Sequence, residues 1–338
     1  MGEHSKIMLE LLNVLPCDFF LLKLLLFGLA LTSAIAVSRT GELFFPKNGW
    51  LAGLFLFLSP VMIGEFAKFE NDQFAFPLLF VGFYFFSKGL LLWKQDKWDS
   101  FTNQVFGFLF VAIAGIVFWE GAVFFLFGLA LSSVFFVVPI VLPLLFVQYF
   151  WMTGFKGSQL VWENVQGIGL GYLFLLLFGL LGLPLQLIAP TVFFLILTWF
   201  NTKFTVLALP FLAIGMVGVY ENWTNSKTIL KEIAPSIPRI AIWLLIIFSF
   251  THLLFQPPHE PHFQAIQYAL EQTDNKLIQN DWEMGWWVYF NKGKTENIAF
   301  VGYQWVEPDK ILVTDNNIEI DCPLLKDFNG VRVYDCLQ

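Results

Sequence analysis

The stretch QFAFPLLFVGFYFFSKGLLLW, residues 73–93, decides the fold. It contains a single charged residue, Lys88, and it is rich in phenylalanine, which supplies 42 of the 338 residues of the chain. A run of about 20 apolar residues is long enough to cross a bilayer as a helix. We therefore predict that this stretch is a transmembrane helix.

The rest of the chain has the same character up to residue 255. Overall, 57% of the residues are hydrophobic and only 13% are charged, whereas soluble domains have about 25% charged residues. Residues 1–255 carry 13 basic and 13 acidic side chains, and residues 256–338 carry 6 and 13, so the net charge of −7 lies in the tail. This balance excludes electrostatic binding of nucleic acid.

Apolar stretches that can form spanning helices recur along residues 1–255, which excludes a protein that only lies on the membrane surface. We predict an all-α polytopic membrane bundle of about ten spans, with a small C-terminal α/β domain outside the membrane. The predicted stretches are 18–38, 49–66, 73–93, 104–118, 121–131, 134–152, 166–183, 185–200, 204–220 and 239–255.

The loop charges predict the orientation, because cytoplasmic loops of membrane proteins are rich in Lys and Arg. With the N-terminus outside, the inner loops carry Arg39, Lys47, Lys88, Lys94, Lys97, Lys227, Lys231 and Arg239. The outer segments then carry only Lys6, Lys68, Lys156 and Lys203. We therefore expect a multi-pass protein of the cell membrane whose N-terminus and tail are both extracytoplasmic.

The tail, residues 256–338, begins after the helix breaker QPPHEPH. Apolar residues recur with helical spacing over 262–273, and WWVYF, IAFVGYQWV, DKILVT and VRVYD are typical of short strands. Cys322 and Cys336 lie in this tail. They either pair, if the tail is extracytoplasmic, or remain two buried thiols.

Acidic side chains at helix ends are the first candidates for a site, because a carboxylate at membrane depth is costly. Glu70-Asn71-Asp72 offers two carboxylates that suit a hard divalent cation such as Mg²⁺ or Mn²⁺. The alternative is that Asp72 caps the next helix, with Pro77 in its first turns. Spacing alone favours the cap.

Three further segments lie on the same predicted outer face. Glu163 is either close to a metal or acceptor, or caps the following helix. Trp119-Glu120-Gly121 is most simply an interfacial Trp beside a loop acid. Lys203 either contacts a lipid-linked phosphate or extends to the headgroups. In the tail, NDWEMGWW, residues 280–287, combines tryptophans and acids in a way that suits a recognition pocket.

The order of these segments resembles the GT-C superfamily of membrane glycosyltransferases, which use polyprenyl-linked sugar donors. The layout is most similar to the catalytic subunits of oligosaccharyltransferases. Those subunits carry an Asp-x-Glu pair, a Trp-Gly element, a Thr-Ile-x-Glu type motif, an Arg at an outer helix end and a Trp-Trp-Asp-Tyr-Gly motif. The corresponding segments here are Glu70-Asn71-Asp72, Trp119-Glu120-Gly121, Leu160-Val161-Trp162-Glu163, Lys203 and Asp281-Trp282-Glu283-Met284-Gly285.

This sequence departs from the family pattern at several points. The acids of the first motif are in reverse order, the Arg is a Lys, and the fifth motif keeps only a Trp, an acid and a Gly. In the family, the first catalytic acid lies in an outer loop after an initial helix, and we expect this chain to lack that helix. Glu3 is the residue whose position best matches that acid.

The resemblance implies transfer of a glycan from a polyprenyl phosphate or pyrophosphate to a protein or glycan acceptor. Glu70 and Asp72, with Glu3 and Glu163, would hold a divalent cation, and Lys203 would bind the phosphate. Glu163, Trp282 and Glu283 would contact the acceptor. The alternative is a catalytically silent subunit that binds a lipid-linked glycan or a partner subunit; a transporter is a weaker third possibility.

Overall fold

The structure is a computed structural model of the whole chain. It describes residues 19–67, 72–119, 121–131, 175–200, 204–226, 230–255, 260–272, 277–279, 298–300, 310–314 and 321–336. The chain forms two compact units, one of residues 27–66 and 72–256, the other of residues 1–26, 67–71 and 257–338.

The first of these units is helical throughout its described part. Its helices are α1 (Phe19–Phe44, which begins in the other unit), α2 (Leu51–Phe57), α3 (Pro60–Ala67), α4 (Asp72–Leu92), α5 (Lys97–Val117), α6 (Ala122–Leu131), α7 (Leu185–Phe200), α8 (Phe204–Thr224), α9 (Leu230–Ile233) and α10 (Ile237–Phe255). A further helical segment at 175–181 precedes α7, and a 3₁₀ turn, Ala234–Ser236, joins α9 to α10.

Within the described residues, four helices are long and apolar enough to cross a membrane, and α7 and α10 contain shorter apolar runs. The four are Phe20–Phe44, Gln73–Leu92, Lys97–Val117 and Phe204–Thr224. The prediction of a helical membrane protein with a small C-terminal sheet is therefore confirmed. About ten spans stays a prediction, because 134–152 and the first half of 166–183 lie outside the described residues.

Two of the predicted stretches differ in detail from the helices observed. Residues 49–66 form two short helices instead of one span, since the helical hydrogen bonding is interrupted at Ser59, and Pro60 supplies no amide proton. The stretch 104–118 begins earlier, at Lys97. The carboxylate of Asp96 caps this helix by accepting hydrogen bonds from the amides of Trp98 and Asp99 at 2.8 and 3.0 Å.

Helix α8 lies at the centre of the bundle, and all its residues from Phe204 to Val219 are buried. Close approach to the 175–182 segment depends on glycine. A Cβ atom on Gly215 would overlap the backbone carbonyl of Gly179, and one on Gly218 would overlap the carbonyl of Gly182. Small residues of this kind let membrane helices pack backbone against backbone.

A phenylalanine cluster of Phe83, Phe125, Phe194 and Phe211 joins α4, α6, α7 and α8. All four rings are buried. The ring centroids of Phe83 and Phe211 lie 4.5 Å apart, and those of Phe194 and Phe211 lie 5.5 Å apart. Because aromatic pairs at these separations attract one another beyond simple burial, the cluster fixes the relative positions of the four helices.

The described part of the second unit contains a helix, α11 (Glu260–Gln272), and a sheet of five strands. The strands are β1 (Leu277–Gln279), β2 (Ile298–Phe300), β3 (Lys310–Thr314), β4 (Leu324–Phe328) and β5 (Val331–Cys336), in the order β2-β1-β3-β5-β4. β1 pairs parallel with β2 and β3, whereas β5 pairs antiparallel with β3 and β4.

A disulfide joins Cys322 to Cys336, the last residue of β5. Of the two alternatives for these cysteines, a pair or two buried thiols, the pair is therefore the one observed. The two Cα atoms are 5.1 Å apart. Asn329 and Gly330 form the turn between β4 and β5 with φ angles of +50° and +98°, the conformation that Asn-Gly hairpin turns adopt. The predicted helix over 262–273 and the strands DKILVT and VRVYD are confirmed, and WWVYF lies outside the described residues.

Candidate functional site

The beginning of α4 carries the first candidate motif. The helix begins at Asp72, which agrees with a helix start at this acid, and Pro77 is accommodated inside it. Phe74 stacks on Phe118 with ring centroids 6.0 Å apart, and Phe76 meets the ring of Trp119 edge-on at 5.8 Å. The start of α4 therefore lies beside the turn between α5 and α6.

That turn contains the second candidate motif, Trp119-Glu120-Gly121. A Cβ atom on Gly121 would overlap the indole ring of Trp119, so in this position the ring lies directly over the glycine. The Trp and the Gly of this motif are thus a packing pair. They fix the indole against α4, while Glu120 lies outside the described residues.

The start of α8 lies at the same end of the bundle. The ring centroids of Phe124, in the first turn of α6, and Phe204, the first residue of α8, are 4.8 Å apart. We call the region formed by the starts of α4, α6 and α8 the motif end. The described segments that adjoin Asp72, Glu120 and Lys203 thus meet at one end of the bundle.

One acidic residue at this end was not singled out from the sequence. Glu65, in α3, lies five residues before Glu70, and its carboxylate oxygen Oε2 is inaccessible to solvent. The side-chain amide of Gln73 donates a hydrogen bond to the backbone carbonyl of Glu65 at 2.8 Å and so connects α3 to α4. An acid inside an apolar stretch was the signal that would have drawn attention to it.

Most of the predicted site residues lie outside the described residues: Glu3, Glu70, Glu163, Lys203, Trp282 and Glu283. Asp72 is described by its backbone alone. The proposed convergence of these side chains therefore stays a prediction. Within the described residues, no group of three or more His, Cys, Asp or Glu side chains is placed to hold a metal ion.

The other end of α8 has a different character. Glu221 accepts a hydrogen bond from the side-chain amide of Asn48, in the turn between α1 and α2. About 30 Å separates the two ends of a 21-residue helix. Exposed basic residues lie near the ends of α1 and α4 and the starts of α2, α5 and α10: Arg39, Lys47, Lys94, Lys97 and Arg239.

No family model, curated protein or solved structure matches the chain.

Proposed function

We propose that the protein transfers a glycan from a polyprenyl phosphate or pyrophosphate carrier to an acceptor on the extracytoplasmic side of the membrane. One observation carries the proposal: the starts of α4 and α8 and the turn between α5 and α6 come together at the motif end. These are the segments that adjoin three of the motifs in which the sequence resembles GT-C glycosyltransferases.

In this proposal, each segment has its own task. Glu70 and Asp72 supply carboxylate oxygens, the ligands that hard divalent cations prefer, and a cation bound there would offset charge on the departing phosphate. Lys203 attracts the phosphate as a point charge. Trp119 holds the start of α4 in place through its contact with Phe76.

Acceptor binding is assigned to Glu163, Trp282 and Glu283. Glu163 orients the acceptor near the cation, and the two tail residues bind the acceptor chain. The lipid carrier would bring its phosphate to the motif end, because the phosphate of a polyprenyl lipid lies at the level of the headgroups.

The disulfide supports the proposed orientation. Disulfides form and persist in oxidising compartments and are rare in the cytosol, so the Cys322–Cys336 bond favours an extracytoplasmic tail. The excess of basic residues in the predicted inner loops points to the same orientation. A protease site after Gln338 should therefore be cut from outside in intact cells, and protection of that site would contradict this orientation.

The test of function uses purified protein in micelles with a polyprenyl-linked sugar donor and Mg²⁺ or Mn²⁺. Glu70→Gln and Asp72→Asn should each lower transfer by about 100-fold or more, since loss of an anionic ligand weakens both cation binding and phosphate departure. Asp99→Asn, which removes an exposed acid near the start of α5, is the matched control and should leave transfer unchanged.

Glu3 distinguishes the two functions that the sequence left open. Glu3→Gln should abolish transfer if Glu3 completes the acidic site. Full transfer in this variant would show that Glu3 is not part of the site. If the wild-type protein binds the lipid donor but transfers nothing to any acceptor, the protein is a catalytically silent subunit and not an enzyme.

A further inference from the structure

Helix α10 has two sides with different surroundings. Ile237, Ala241, Leu245 and Ser249 recur every four residues and are buried. The hydroxyl of Ser249 donates a hydrogen bond to the backbone carbonyl of Leu58, directly after α2, at 2.6 Å. These residues form the side that packs inside the bundle, so the opposite side of the helix meets the surroundings of the protein.

The opposite side begins with a charge and continues with apolar side chains. Arg239 lies in the first turn of α10 and is exposed. Ile240, Trp243 and Ile247 are 51%, 65% and 51% exposed. Residues three or four positions apart lie one above another along a helix, so these four residues form one surface, which we call the α10 face. An exposed Trp beside a row of apolar residues is typical of a helix side that meets lipid.

The α10 face begins at the end of the bundle opposite the motif end. Helix α8 begins at the motif end, and residues 225–229 join its other end to α9. Both α9 and the 3₁₀ turn before α10 pack against α8. From Arg239 to Ile247 the helix rises by about 12 Å. Arg239 is therefore placed at the level of lipid headgroups, and Ile247 is placed beside the acyl chains.

The positive charge of Arg239 is not offset by an ion pair within the described residues. The first turn of α10 contains no acidic residue. Glu232, in α9, is exposed, but it forms no ion pair with Arg239. The α10 face thus combines one unpaired guanidinium with an apolar row, and this combination is complementary to an anionic headgroup with a hydrocarbon chain.

The start of α5 looks similar but has a different charge balance. Lys97 is exposed there, and the neighbouring Trp98 is 74% exposed. However, Asp96 precedes this lysine, and Asp99 lies in the same first turn. The ammonium of Lys97 also lies 6.0 Å from the centroid of the Trp93 ring. The charge of Lys97 is therefore balanced locally, whereas that of Arg239 is not.

We propose that the α10 face binds an anionic phospholipid. The guanidinium of Arg239 donates two hydrogen bonds to phosphate oxygens, the paired geometry for which Arg is suited. An acyl chain lies along Ile240, Trp243 and Ile247, where it buries apolar surface. A zwitterionic lipid also offers a phosphate, but its ammonium group meets no acid in the first turn of α10. This lipid site is independent of glycan transfer.

The test measures the dissociation constant of the first lipid bound to the full-length protein, by native mass spectrometry from micelles. Phosphatidylglycerol should bind more tightly than phosphatidylcholine with the same acyl chains. Arg239→Gln should weaken phosphatidylglycerol binding by about fivefold, the contribution of one basic residue near an anionic headgroup. It should leave phosphatidylcholine binding unchanged. Arg239→Lys, which keeps the charge but loses the paired geometry, should bind with an intermediate affinity.

Two variants and one soluble probe examine the rest of the surface. Trp243→Ala should weaken binding of both lipids by the same factor, because both carry the same acyl chains. Lys97→Gln is the matched control, since it removes an exposed basic residue beside an exposed Trp at the same end of the bundle. It should leave both affinities unchanged. Glycerol phosphate, which has no acyl chain, should not compete at millimolar concentration.

Several outcomes would overturn the proposal. Equal losses in Arg239→Gln and Lys97→Gln would show diffuse attraction by surface charge, and equal wild-type affinity for the two lipids would show that the headgroup is not selected. Competition by glycerol phosphate would show a site for free phosphate. A dimer that is lost in Trp243→Ala would show that a second copy of the chain occupies this surface. If Arg239→Gln does not accumulate, unchanged lipid binding in Trp243→Ala would still reject the site.

Discussion

The side-chain amide of Asn48 donates a hydrogen bond to Oε1 of Glu221, which lies 173 residues later in the chain. Asn48 belongs to the turn between α1 and α2, and Glu221 lies near the end of α8. A partly buried carboxylate that accepts a hydrogen bond at a helix end is costly to leave unpaired. The contact therefore ties the end of the central helix to a distant turn.

Removing either partner should destabilise the bundle. Asn48→Ala leaves the carboxylate without this donor and should lower the free energy of unfolding by about 1–3 kcal/mol. Unfolding of the purified protein in detergent measures the change. In the double variant with Glu221→Ala, the loss should be smaller than the sum of the two single losses, because the single changes remove the same bond. Additive losses would show that the two side chains are energetically independent.

The glycine contacts between α8 and the 175–182 segment should tolerate no side chain. Gly215→Ala would place a methyl group on the carbonyl of Gly179, and we expect a loss of about 2 kcal/mol or more, or failure to accumulate in the membrane. Gly28→Ala is the matched control, since a Cβ there meets nothing within 4 Å. It should leave the melting temperature unchanged or raise it slightly, because Ala favours a helix over Gly.

The phenylalanine cluster should be the most sensitive part of the core. Phe125→Ala removes a ring that contacts Phe83, Phe194 and Phe211, and a cavity of this size costs about 3–5 kcal/mol. Phe106, which is 48% exposed on α5, provides the comparison. Phe106→Ala should cost less than half as much. Equal losses at the two positions would contradict the central role of the cluster.

The disulfide should contribute to the stability of the C-terminal sheet. It closes a loop with a sequence separation of 14 residues. Closing a loop of this size stabilises the folded state by about 3 kcal/mol. In the double variant Cys322→Ala/Cys336→Ala, a protease should therefore digest the tail faster under native conditions. Cys17→Ala, which removes the third cysteine of the chain, is the control and should leave the digestion rate of the tail unchanged.

Membrane helices were predictable from the sequence, but their surroundings were not. The stretches around α1, α4, α5 and α8 all have the length and apolarity of a span. However, the most apolar window of α8 is 89% buried, whereas that of α5 is 33% buried. Lipid and protein interior are both apolar, so polarity does not distinguish a central helix from a peripheral one. Small residues do carry some of this information, as Gly215 and Gly218 illustrate.

The candidate site was predictable in layout and not in detail. Sequence patterns predicted a helix that starts at Asp72, and the shared side of the motif residues stays a prediction. They did not single out Glu65. That one of its carboxylate oxygens is inaccessible to solvent is a property of the folded chain.

The central position of α8 constrains how the protein is made. The ribosome synthesises α1 to α7 before α8, yet α2, α4, α6 and α7 contact α8 in the folded bundle. The contacts of Phe83 and Phe125 with Phe211 therefore form only after α8 has left the translocon and entered between helices that are already inserted. A chain that stops before Phe204 would lack its centre, and the rings of Phe83, Phe125 and Phe194 would lose their contacts with Phe211.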